Sequence, residues 1–220
     1  MKRPGAVAVL FAAALASACS RNDAAQVAAD GPPDHDAAIA LMEKRAAADP
    51  RDFLSPTTVA EMRLMRAGID GDVAEFRRAE SAARTALERE PSHLAARAAL
   101  ARALAGEGRT DEARPIVADI LEREPRNVGA LEAAFDVAFA KGDDRAARAY
   151  ADRLLAINEE PGTLMRLGRL AERRGDAAGA AALYRRAIRG AQDLGGMPAE
   201  IDAYRRLETR AAAAAKAPPR

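Results

Sequence analysis

The chain of 220 residues has one cysteine, two histidines, no tryptophan and only 4% aromatic residues. A single Cys excludes a disulfide framework within the chain and a cysteine-based zinc knuckle. His35 and His93 have no second His or Cys at a metal-ligand spacing, so both read as structural residues. An excess of either charge is missing too: 34 Lys+Arg face 33 Asp+Glu, interspersed along the chain, whereas a nucleic-acid binder gathers its positive charge on one face. No Gly-rich loop leads into Lys-Ser/Thr and no Gly-x-Ser-x-Gly occurs; Gly106-Glu107-Gly108 reads as a turn. Acidic residues recur at ion-pair spacing with Arg, the pattern of solvated helix faces. No catalytic residue, metal site or cofactor is therefore expected. What remains is Ala-rich sequence with 30% charged residues, the mixture of amphipathic helices, and the chain reads as all-α.

The first eighteen residues read as an address. Met1-Lys2-Arg3 is basic, Ala6 to Leu15 is apolar and Ala16-Ser17-Ala18 is small, the three-part layout of a signal peptide over residues 1–18. The apolar run is shorter than the about 20 residues that span a bilayer, and nothing later is more apolar. Leu15-Ala16-Ser17-Ala18-Cys19 resembles a bacterial lipoprotein box, with Ala16 where an aliphatic residue is usual. The resemblance implies that Cys19 is lipidated and becomes the mature N-terminus; Ser20, where a retention signal would carry Asp, implies the outer membrane. Soluble periplasmic or secreted export after the same Ala-x-Ala cut is the alternative. Processing would leave 32 bases facing 33 acids. Residues 19–33, ending in Gly31-Pro32-Pro33, read as a flexible tether.

Beyond the tether the chain repeats. Gly108 and Gly142, Ala113 and Ala147, and Pro91 and Pro125 are each 34 residues apart, while Gly142 to Gly175 and Ala147 to Ala180 are 33, a one-residue slip. The glycines stand where the first helix of a pair ends, a position that needs a left-handed residue. Thr110, Asp143 and Asp176 are expected as N-caps of the second helices. Ala101, Gly168, Ala113, Ala147 and Ala180 are small where paired helices should cross, and Leu100, Leu104, Ile120, Leu121, Leu154 and Leu155 should fill the seam. Pro91 and Pro125 stop the second helices, while Pro115, early in its helix, should cause only a bend.

This pattern resembles the tetratricopeptide repeat. Leu94 to Asn127 carries it on Leu100-Ala101, Leu104, Gly108, Ala113, Val117, Ile120 and Pro125. Pro161 to Ala191 carries it on Leu167-Gly168, Ala171, Gly175, Ala180, Tyr184 and Ala187. Val128 to Glu160 is the least regular, because Ala134-Phe135 replaces the large-then-small pair. The resemblance implies an all-α, right-handed superhelical solenoid of antiparallel helix pairs with a C-terminal cap helix. The expected organisation is a half repeat and an extended irregular pair over 34–92, three repeats over 93–191, a cap helix over 192–215 and a tail over 216–220. In the N-terminal pair, Ser55-Pro56 reads as a cap and first helical residue, and Gly71 lies 37 residues before Gly108, an insertion of about three. The cap helix carries Ile201, Tyr204 and Leu207 on one face, as a solenoid end requires.

The family lines a concave groove with its first helices. Carried onto this chain, the groove face is Arg102, then Glu132, Asp136 and Phe139, then Met165, Arg169, Glu172 and Arg173. Arg102, Asp136 and Arg169 hold one helical site in successive repeats, giving a basic-acidic-basic ladder. It could set the register of an extended peptide or simply pair with itself. The Lys and Asn residues of the family's carboxylate-clamp subtype are not matched. The reading is a non-catalytic scaffold or adaptor at the bacterial cell envelope, with a protein or peptide partner in the groove and membrane attachment through Cys19. The alternative is an envelope-structural or homo-oligomerising assembly factor that uses the convex face or the cap helix.

Overall fold

A computed structural model describes residues 35–196 and 198–216. Cys19, the signal peptide, the tether and residues 217–220 of the tail lie outside the described residues. Among the described residues ten helices follow one another without a strand: α1 His35–Ala48, α2 Leu54–Asp70, α3 Val73–Arg89, α4 Leu94–Gly106, α5 Thr110–Arg123, α6 Val128–Ala140, α7 Asp144–Leu155, α8 Pro161–Arg173, α9 Ala177–Asp193 and α10 Pro198–Lys216. Four hairpins, α2/α3, α4/α5, α6/α7 and α8/α9, stack side by side, with α1 against α2 at one end and α10 against α9 at the other.

The hairpin turns are built as the spacing predicts. Gly108, Gly142 and Gly175 have φ of +80°, +76° and +80°. At each, the glycine N–H donates three residues back and the next N–H five residues back, as from Asp143 to the Ala138 carbonyl at 2.9 Å, which closes the last turn of the first helix. Gly71 and Gly195 take the same left-handed conformation. Gly142→Val forces a β-branched side chain into that region and should cost about 1–3 kcal/mol, read as a lower thermal midpoint with the far-ultraviolet spectrum retained.

Asp143 and Asp176 cap α7 and α9, accepting from the Ala146 and Gly179 N–H groups at 2.9 and 2.8 Å. Thr110 does not cap α5. In the repeat register the capping place is one residue after the loop glycine, which here is Arg109, so Thr110 falls inside the helix. Ser55 is not a cap either: α2 starts at Leu54, and Asp52 accepts from the Ser55 N–H at 2.9 Å, which places Pro56 within the first turn. Pro115 leaves α5 continuous to Arg123.

Helix crossings fall on the small residues. Ala101, Ala113, Ala147 and Ala180 are fully buried, and Gly168 accepts the Tyr184 ring so closely that a Cβ there would overlap it. Leu100, Leu104, Ile120 and Leu154 are buried in the seams. One junction differs. The backbones of α2, α4 and α6 pack against one another, but α6 and α8 are held apart by side chains, with Phe135 of α6 set among Leu167 and Leu170 of α8. At the repeat spacing, 34 residues from Ala99 of α4 to Ala133 of α6 and 33 from there to Arg166 of α8, the three positions correspond, and all three are buried. A guanidinium therefore occupies a place where the preceding repeats have a methyl group.

Candidate functional site

The first helices α2, α4, α6 and α8, joined by α10, surround a cavity of about 810 Å³. The concave surface is closed at its side: α10 reaches back to α2, and Ile69 of α2 packs into the core formed by α8, α9 and α10. Gly68 of α2 faces the Met165 methyl of α8 across this approach. Met62, Met65, Phe76, Phe139 and Leu194 give the lumen an apolar wall.

A charge cluster crosses this wall. Arg102 pairs with Glu132 and Asp136, both at 3.2 Å, and Arg166 pairs with the same two carboxylates at 2.7 and 3.4 Å. The Arg166 side chain is only 3% exposed, and its Nε meets Asp136 through the longer of its two pairs, at 3.4 Å. Burial opposes ionisation of Asp136, but Arg166, Arg102 and Arg169 outweigh it and hold the carboxyl below its usual range. Burial likewise opposes the charge of Arg102, and Glu132, Asp136 and Glu61 hold it protonated more firmly than an ordinary arginine.

Two members are poorly matched. Glu61 meets Arg102 only at 3.9 Å; crowding by the lumen walls lifts its carboxyl above the usual range, Arg102 opposes the rise and Glu132 adds to it. Arg169 has no carboxylate within ion-pair distance among the described residues and lies over the Phe139 ring at 4.7 Å. Burial lowers its affinity for the proton, with Asp136 offsetting this in part.

Glu61 yields a signed pH prediction. A carboxyl raised by folding favours the native state while protonated, and that contribution is lost as pH rises through the unfolded value of about 4.3 and the higher native one. Glu61→Gln should therefore raise the thermal midpoint at pH 7, with the gain fading as pH falls below about 4. A gain of equal size at pH 3.5 and pH 7 would contradict this.

Residues 74–135 match the tetratricopeptide repeat family. A thermophilic TPR protein of Thermus thermophilus superposes with a TM-score of 0.59 at 22% identity, over 87% of this chain and 94% of that one. The chain folds as a tetratricopeptide-repeat solenoid. A tetratricopeptide repeat protein of Parabacteroides merdae superposes with a TM-score of 0.58 at 16% identity, over 92% of this chain and 76% of that one. No curated protein matches the chain.

Within this solenoid, Arg102, Glu132, Asp136, Phe139, Met165 and Arg169 line the cavity. Met165, however, is buried and spent on the α2 contact. Glu172 and Arg173 are not on the lumen. Glu172 accepts from the Tyr184 hydroxyl at 2.8 Å and pairs with Arg210 at 3.0 Å, fastening α8 to α9 and α10. Arg173 lies on the Phe139 ring at 3.8 Å, donates to the Phe139 carbonyl and pairs with Asp144, tying α8 to α6 and α7. The expected ladder is also rearranged: Asp136 pairs with Arg102 and Arg166, leaving Arg169 out. Arg166, Glu61, Met65 and Phe76 are among the lumen residues that the repeat pattern did not single out. Arg166 lies 34 residues after Glu132, its partner, and that spacing of opposite charges was the available signal.

Both histidines have structural places. The His35 Nε2 is 3.0 Å from the Met62 carbonyl, and His93 meets the Phe53 ring edge-on at 4.9 Å. Among the described residues no group of three His, Cys, Asp or Glu is arranged to hold a metal, and no helix is long and apolar enough to cross a membrane.

Proposed function

We propose that the chain is a non-catalytic interaction scaffold of the bacterial cell envelope, exported by its N-terminal segment, lipidated on Cys19 at the outer membrane, and holding a peptide segment of a protein partner in its lumen. The observation that carries the binding reading is the lumen itself. Its volume of about 810 Å³ and its apolar walls with a few placed charges have the character of a ligand site. The lateral contact of α10 with α2 favours an inserted segment, such as a loop or chain end, over a partner that wraps the groove from the side. The cap helix is a poor candidate for self-assembly, because its apolar residues Ala203, Tyr204, Leu207 and Ala211 are buried within the chain.

A photo-crosslinking amino acid at Met65, on the lumen, and another at the exposed Arg114 test this in cells. Adducts with one protein from Met65 alone support the lumen; adducts from Arg114 alone move the function to the convex face. Cys19→Ser should abolish incorporation of labelled fatty acid and release the protein from the membrane fraction. Unchanged membrane association would remove the anchor from the reading.

A further inference from the structure

The proposal that a peptide segment enters the lumen leaves its chemistry open, and the pairing of the lumen charges narrows it. Arg102 and Arg166 are both satisfied by Glu132 and Asp136. Arg169 is left on the same wall, with the Phe139 ring as its close contact and no carboxylate within ion-pair distance among the described residues. A guanidinium stacked on an aromatic face keeps its N–H groups in the ring plane of the guanidinium, free to grip a carboxylate edge-on.

Resting on the peptide-lumen reading, we propose that Arg169 is the receptor for a single acidic side chain of the partner, carried by an extended and otherwise apolar segment. The acid supplies the counter-charge that the chain withholds from Arg169, and its neighbours lie against Met62, Met65 and Phe76. The other lining charges limit the segment to one acid. Glu160 and Glu200 line the lumen as well, with Glu160 nine residues before Arg169 at the opposite end of α8. Nine helical residues span ~13 Å, the reach of about four residues of extended chain. A run of acids would therefore set like charges against Glu160 and Glu200, whereas a neutral or basic residue about four positions from the anchor fits.

Selection of random dodecapeptides displayed on phage, against the detergent-solubilised full-length chain and its Arg169→Gln variant, tests the assignment. The native chain should enrich peptides with one Asp or Glu among apolar residues, and the acid should disappear from those enriched by Arg169→Gln. The variant should melt no lower than the native protein, because a partly buried cation without a paired acid does not hold the fold together. If it does melt lower, Arg169→Lys decides: it keeps the charge, and the acid preference must return with it. Enrichment of acid-free peptides, or the same acid preference with Arg169→Gln, overturns the assignment while leaving the peptide lumen intact. No enrichment by the native chain overturns both.

Discussion

Arg166→Ala is expected to lower the stability of the solenoid by about 3–5 kcal/mol, the usual cost of removing one partner from a buried charge network. With about 2–4 °C per kcal/mol for a chain of this size, the thermal midpoint should fall by about 6–20 °C. The cost lies less in the lost attraction than in what is left behind. Glu132 and Asp136, about one-fifth exposed, would share only Arg102. Arg166→Met with Glu132→Gln removes the excess charge as well as the cation and should recover more than half of the loss. The effect should also be regional. Arg166 stands at the one junction where successive first helices do not pack backbone to backbone, so its loss weakens the coupling between α2–α7 and α8–α10. Hydrogen exchange should show α8–α10 opening at lower free energy than α3–α5. A loss below 1 kcal/mol, uniform along the chain, would mean that the network is not what joins the two halves.

The contrast between Arg166 and its neighbours explains which parts of the molecule were legible in the sequence. The loop glycines, the Ala residues at the crossings and the capping Asp143 and Asp176 answer local demands, a left-handed φ, a close approach or an open helix end, that recur with the repeat. Periodicity exposes such residues. Thr110 failed as a cap because a glycine-relative position, not residue type, decides where the cap lies. Arg166 failed differently: its register position is a core position, occupied by Ala99 and Ala133 in the preceding repeats, so a face-by-face reading passes over it. Its partners come from another repeat, and only the distance between α6 and α8 makes room for it. The return of α10 to α2 depends on curvature accumulated over four hairpins, which no single repeat encodes. Glu172 and Arg173 were placed on the groove by carrying the family's groove face along α8, but near the end of α8 neighbouring helices compete for them. Tyr184 and Arg210 hold the first, and Phe139 and Asp144 hold the second.

Tyr184→Ala should be the second large loss, about 3–5 kcal/mol, and it carries a reversal of sign that tests why Gly168 is glycine. Tyr184 is fully buried on α9, its ring against Gly168 of α8 and its hydroxyl donating to Glu172 at 2.8 Å. A Cβ at Gly168 would collide with that ring, and the ring cannot withdraw because core surrounds it and Glu172 holds its far end. Gly168→Ala in the native chain should therefore destabilise by about 1–3 kcal/mol, through overpacking, despite alanine's better helix propensity. Once the ring is gone, the same Cβ enters a cavity. In a Tyr184→Ala background Gly168→Ala should then stabilise by about 1 kcal/mol, the helix-propensity gain no longer masked by a clash. Tyr184→Phe separates the ring from the hydroxyl. It keeps the packing and should cost only about 1 kcal/mol, since Glu172 retains Arg210. The same cost for Gly168→Ala in both backgrounds would show that the close approach is not what selects glycine. Because Glu172 joins Tyr184 to Arg210, loss of the ring should also loosen α10, and with it the contact with α2 that closes the lumen. A Tyr184→Ala chain that still folds should therefore show faster exchange in α10 than in α4.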